Sequence, residues 1–254
     1  MRKLFLIMLL TAFTFSCLDE VPVTADQPDH TNYFPVDEGS YYKYDVVQTD
    51  SNGISTIFER IVRIKSDTMI NRTSYSIQID SILNGAMRST SKSYLRKSNS
   101  GIFYFADTTG FLNFFPDSLR SDVELQTELR TQLFPLLSGS MWTVYRISVK
   151  ILGLLNYNVV YINGRYVKDE ELSLNINGEM QILSTKKIQY TYKLIIDAFS
   201  EPIIFNSYIW LAENIGIVKM EGSAVLLSIF GGGLLLSTDT AISSSQTLVE
   251  YRLN

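Results

Sequence analysis

Leu172-Ser173-Leu174-Asn175-Ile176-Asn177-Gly178 and, a little further on, Ile188-Gln189-Tyr190-Thr191-Tyr192-Lys193-Leu194-Ile195-Ile196 decide the fold class. In both runs apolar side chains recur at every second position, which puts one face of an antiparallel sheet on a core and the other in water. Tyr75, Ile77 and Ile79 interleave with Ser74, Ser76, Gln78 and Asp80 in the same way, so these three apolar residues are expected on a core face. Four Asn-Gly pairs, Asn52-Gly53, Asn84-Gly85, Asn163-Gly164 and Asn177-Gly178, lie between runs rich in Ile, Val, Tyr, Thr and Ser. Asn-Gly supplies the positive φ angles of a tight primed turn, so each pair predicts a hairpin. The expectation is a mainly all-β chain: a strongly curved antiparallel sheet or half-barrel built from hairpins, with one short helix. The helix is placed at Asp117 to Gln132, where Leu119, Val123, Leu125, Leu129 and Leu133 are spaced close to three or four apart and Asp117 caps the start.

Working outward, the chain repeats itself once. Phe34-Pro35, Gly39-Ser40 and Tyr42 are answered a hundred residues later by Phe134-Pro135, Gly139-Ser140 and Trp142. Either an old duplication or a recurring way of starting a strand gives this echo: Pro fixes the approach, Gly makes the turn and the aromatic plugs the core. The simpler second reading is preferred. Residues 33–254 are long enough for one well-buried core and are taken as one domain. The net charge of −4 argues against a nucleic-acid partner, and 15 Tyr with 14 Phe suit strands that fill a wide interior.

The amino terminus reads differently. Arg2 and Lys3 precede an apolar run from Leu4 to Phe15, then Ser16 and Cys17, the only cysteine. The run is too short to span a bilayer, which takes about 20 apolar residues. It resembles the lipobox of bacterial lipoproteins, with Thr14 and Phe15 departing from the usual Leu and small residue. That resemblance implies cleavage after residue 16, acylation of Cys17 and attachment to the membrane through it. Residues 17–32, carrying Asp19, Glu20, Asp26, Asp29, Pro22 and Pro28, form an acidic tether with little to bury. The tether holds the only histidine, His30.

A second resemblance rests on Tyr33-Phe34-Pro35-Val36 with Gly39 and Tyr41 to Tyr44, and on Trp210-Leu211-Ala212-Glu213-Asn214-Ile215-Gly216-Ile217-Val218-Lys219. These stretches resemble signatures of a large set of uncharacterised Gram-negative lipoproteins, similar in outline to the half-barrels of the carriers LolA and LolB. The likeness implies an outer-membrane, lipid-anchored protein on the periplasmic or cell-surface face. Physically, Trp210 to Met220 reads as a hairpin: a Trp plug, a reversal at Asn214-Ile215-Gly216, and Val218 and Met220 returning.

No catalytic constellation is visible. Metal ligands do not cluster, no Gly-x-Ser-x-Gly elbow occurs, and Gly231-Gly232-Gly233 runs into Leu234 rather than a phosphate-loop Lys. The acidic run Asp169-Glu170-Glu171 is read as a solvated loop. No cofactor, metal site or catalytic residue is therefore assigned, and the protein is expected not to be an enzyme. The stretch Ala224 to Ser237 is apolar on both faces and reads as a core hairpin folding at the three glycines, a lip on a cavity, or a membrane contact. Leu226, Phe230 and Leu235 would form that lip. Two functions follow: a module holding a lipid or other apolar small molecule in the concave side of its sheet, or a structural or accessory subunit of an envelope assembly.

Overall fold

The structure is a computed structural model, and it describes residues 31–108, 111–114, 117–151, 155–195, 201–227 and 241–254. Thirteen strands form one antiparallel sheet: β1 (Tyr41–Thr49), β2 (Ser55–Ile70), β3 (Thr73–Asn84), β4 (Met87–Ser98), β5 (Gly101–Phe105), β6 (Val123–Leu125), β7 (Glu128–Leu133), β8 (Met141–Ile151), β9 (Leu155–Ile176), β10 (Glu179–Leu194), β11 (Ile203–Ala212), β12 (Gly216–Ser223) and β13 (Ser243–Arg252). The order across the sheet is β6-β8-β9-β10-β11-β12-β13-β1-β2-β3-β4-β5-β7. Two meanders, β1 to β5 and β8 to β13, are thus joined where the last strand pairs with the first, Tyr41 opposite Arg252.

Curvature follows from connectivity. β6 and β7 lie at opposite edges of the sheet, yet only Gln126 and Thr127 separate them. Three chain steps span at most about 11 Å, so the sheet must curl until its edges meet. The ladder does not close there. Side chains cross the seam instead: Trp142 Nε1–H donates to the Arg130 carbonyl at 3.0 Å, Tyr145 Oη–H to the Gln126 carbonyl at 3.0 Å, and Tyr190 Oη–H to the Thr131 carbonyl at 2.7 Å. Each supplies a backbone acceptor with the donor that a ladder would have given it.

The helix expected over residues 117–132 is mostly strand. Only Asp117–Arg120 is helical (α1), closed by an Arg120–Asp117 ion pair of 2.8 Å, and β6 and β7 occupy the rest. A spacing of four fits both periods: Leu125, Leu129 and Leu133 share a helix face and also share parity along a strand. Pairing with β8 through Val123–Leu125 and with β5 through Glu128–Leu133 settles the choice.

Asn52-Gly53, Asn84-Gly85 and Asn177-Gly178 sit at turns, but Asn163-Gly164 lies inside β9. Gly164 is there for room. A Cβ on it would stand 2.3 Å from the Trp142 ring, which lies against this backbone and meets Tyr190 edge-on at 6.1 Å. The Trp210 hairpin forms as expected, with Asn214 at φ 58° and Gly216 at φ 104°.

The Phe-Pro echo marks the same turn at the head of each meander. Ser40 N–H donates to Asp37 O at 3.1 Å and Ser140 N–H to Leu137 O at 2.9 Å; Gly39 and Gly139 take φ 93° and 81°. The serine carbonyls then accept from Ile64 and Tyr166, each at 2.9 Å, and Phe34, Phe134, Tyr42 and Trp142 are all buried.

Three further expectations change. In β3 the faces are the reverse of those expected: Gln78 and Asp80 are buried, 2% and 6% exposed, while Ile77 and Ile79 are half-exposed beside Tyr94 and Lys92, and Tyr75 on their side is buried against Phe105. The acidic run Asp169-Glu170-Glu171 belongs to β9, where Glu170 accepts the Trp210 indole N–H at 2.9 Å. Trp210, only 3% exposed, is flanked by the Lys187 and Lys219 ammoniums at 4.5 and 4.7 Å from its centroid. Ala224–Leu227 is a helical turn (α2) rather than a strand, with Val225, Leu226 and Leu227 in the main core. The rest of that apolar stretch, including Phe230, the three glycines and Leu235, lies outside the described residues, as does the region holding Cys17.

Candidate functional site

Two places gather polar chemistry. The first is inside. Arg60 on β2 donates through Nε to Asp80 Oδ1 at 2.7 Å and through Nη1 to Gln246 Oε1 at 3.1 Å, while Gln78 Nε2 donates to Asp80 Oδ2 at 2.6 Å. Tyr104 Oη–H closes the chain onto Gln78 Oε1 at 2.8 Å. Burial alone would push the Arg60 proton off, but the Asp80 carboxylate outweighs it and holds Arg60 above its ordinary value. Tyr44, whose ring faces the guanidinium at 5.6 Å, donates to the Ile217 carbonyl at 2.9 Å, and burial raises its hydroxyl well above the usual range. These named groups are spent on one another.

Beside this network a cavity of about 30 Å³ is lined by Phe34, Tyr42, Arg60, Tyr104 and Ile217. One or two water molecules fill such a space. An acyl chain does not fit. Leu95, Ile102, Leu129, Tyr145, Ile162 and Tyr190 occupy the interior around it with essentially no exposed surface.

The second place is the seam. On the opposite face of β4, β5 and β7, Glu128 receives Arg96 through two bonds of 2.6 Å and the Tyr75 hydroxyl at 2.5 Å. Burial works against the carboxylate charge, but these donors prevail and hold Glu128 below the usual carboxylate range. Burial, joined by the Glu128 bond, pushes Tyr75 up to about 12. Two open clefts flank Thr127 and Glu128: one of about 520 Å³ beside Tyr75, Arg96 and Phe105, and one of about 490 Å³ beside Phe103, Arg130 and Thr143. At the mouth of the first, Asn71 and Arg72 turn β2 into β3 with φ 49° and 67°.

Of the residues assigned to a site from the sequence, Cys17, Leu226, Phe230 and Leu235, only Leu226 falls among those described. It is fully buried in α2 and forms no exposed lip. Arg60, Asp80, Glu128 and Arg130 were not anticipated. Arg60 carried a signal, because it stands in the apolar phase of Phe58, Val62 and Ile64; the seam residues carried none, since strands distant in sequence bring them together. Among the described residues no three of His, Cys, Asp and Glu come together as metal ligands, and no helix is long and apolar enough to cross a membrane.

No protein-family model and no curated protein matches the chain. Among solved structures it is similar to a Bacteroides fragilis protein described as exported with a YmcC-like fold, at 17% identity over 87% of this chain and 98% of that one, TM-score 0.46. A Parabacteroides distasonis protein described as a lipoprotein is 13% identical over 89% of this chain and 100% of that one, TM-score 0.44. The hypothetical lipoprotein YmcC of Escherichia coli is 11% identical over 98% of this chain and 96% of its own, TM-score 0.32.

Proposed function

We propose that this chain is a non-enzymatic lipoprotein of the outer membrane, held by acylated Cys17, whose curled sheet serves as a filled scaffold within an envelope assembly. The packed interior carries this reading over that of an apolar-ligand carrier. The space beside Arg60 is about 30 Å³, whereas sites for drug-sized ligands run to several hundred. The described part of the apolar stretch, Ala224–Leu227, contributes Val225, Leu226 and Leu227 to the core instead of lining a mouth. Arg60, Asp80, Gln78, Gln246 and Tyr104 answer one another inside, which suits a rigid body better than a reactive one.

Two measurements test it. Labelled palmitate should enter the wild type and not Cys17→Ser; equal labelling of the two removes the anchor. Native mass spectrometry of the membrane-extracted protein should then show the polypeptide and its anchor lipid alone. A second lipid-sized mass released only on unfolding would replace the scaffold by a carrier.

A further inference from the structure

Two guanidinium groups share one ring at the seam, and they are treated differently. Arg96 lies 4.1 Å from the Phe103 centroid, with its charge answered by Glu128. Arg130 lies 5.6 Å from the same centroid and, among the described residues, forms no ion pair. One of its terminal nitrogens donates to the Ser100 carbonyl, while its Nε is buried without a partner. Desolvation pulls Arg130 below the ordinary arginine value. A partly buried cation with no counter-charge is the arrangement that loss of water penalises most, and an incoming anion relieves it.

The surroundings say what kind of anion. Arg130 opens onto the 490 Å³ cleft between β7 and β8, where Thr127, Thr143 and Gln126 provide polar groups and Phe103, Leu125 and Val144 provide apolar wall; the Glu128 carboxylate, which also lines it, is already met by Arg96 and Tyr75. We propose that this cleft binds a small amphipathic anion, its carboxylate or phosphate on the Arg130 guanidinium and its short apolar body against Phe103 and Leu125. A planar fork of N–H donors fits either head group, and the Phe103 centroid lies 5.6 Å from the guanidinium. The site lies on the outer face of the seam, so it does not depend on how the chain is anchored or on what the scaffold assembles with.

Trp142 supplies a reporter, since its indole N–H bonds the Arg130 carbonyl and its neighbour Thr143 lines the cleft. With the protein purified with its anchor in a neutral detergent, 6-bromohexanoate should quench a saturable part of the tryptophan fluorescence and the neutral 6-bromohexanol should not. Arg130→Gln should weaken the carboxylate at least tenfold. Thr143→Phe, at an exposed position, keeps the charge but fills the cleft and should abolish saturable quenching, which decides the matter if Arg130→Gln does not fold. Competition by hexanoate against hexyl phosphate tells the two head groups apart, whichever displaces the probe at lower concentration. Equal quenching by acid and alcohol, or unchanged affinity in both variants, overturns the site.

Discussion

The interior of this sheet is built in two ways. From β13 past β1 to β2 and β3 it is tied by an ion pair and two amides: Gln246, Arg60, Asp80 and Gln78 bond one another in a line that crosses the strands. Across β8 to β11 it is filled by rings and branched chains, with Trp142 on Tyr190 and Tyr192 on Phe205 edge-on at 6.1 and 5.4 Å. The difference lies in what tolerates change. A charge network is strong only while complete, because removing one member strands another in a dry place; an aromatic packing fails by degrees, through volume.

Asp80→Ala is the severest test of that contrast. Arg60 would stay buried beside Tyr44 without its carboxylate, and the loss should be about 3–5 kcal/mol in urea unfolding. The paired change Arg60→Met with Asp80→Leu should recover most of it; a single variant costing under about 1 kcal/mol would erase the distinction between the two interiors. Next comes Gly164→Ala, whose new methyl overlaps the Trp142 ring. Overpacking of this kind should cost about 1–3 kcal/mol, and adding Trp142→Phe should relieve part of it.

Smaller effects belong to the outer face. Glu128 is held below its ordinary value, so the stability it contributes is complete above the unfolded carboxylate range, near pH 4.5, and is lost as the pH falls through its lower folded value. Wild type should therefore lose its advantage over Glu128→Gln on titration from about pH 5 to pH 3, read as the difference in melting temperature. An unchanging difference would show that Arg96 and Tyr75 do not bond the charged form. The smallest change is a gain. Arg72 occupies φ 67°, where glycine is at ease, so Arg72→Gly should relieve the turn and stabilise by up to about 1 kcal/mol.

Much of this architecture could be read from residue order, and the failures have local causes. Leu172, Leu174 and Ile176 alternate as expected because one side of their hairpin meets water, and Ile188, Tyr190 and Tyr192 do so because one side meets a deep core. Tyr75, Ile77 and Ile79 alternate just as cleanly, yet their side of β3 is the outer one, where Tyr75 is covered by Phe105 and Glu128 while Ile77 and Ile79 stay half-exposed. Periodicity gives the phase of a strand, and its neighbours give the face. Asn163-Gly164 misled for a related reason: glycine serves a turn and a close packing partner equally well, and only the position of Trp142 tells which. The seam cluster was invisible, since Tyr75 on β3, Arg96 on β4 and Glu128 on β7 meet only once β7 has paired with β5 beside β4.

The pairing of β13 with β1 gives the strands a cyclic order. Followed around the curl from β8, they run in chain sequence to β13, resume at β1 and return through β5 and the Val123–Leu133 stretch to the start. The entry to the first strand and the exit from the last are therefore neighbours in space: the Asn254 side-chain amide donates to the Glu38 carbonyl at 2.9 Å. A permuted gene that joined these ends by a short linker and opened the loop between Leu133 and Met141 would keep every ladder partner. Its first and last residues would also move to where β7 gives way to β8, leaving strand pairing indifferent to the place at which the polypeptide is tethered.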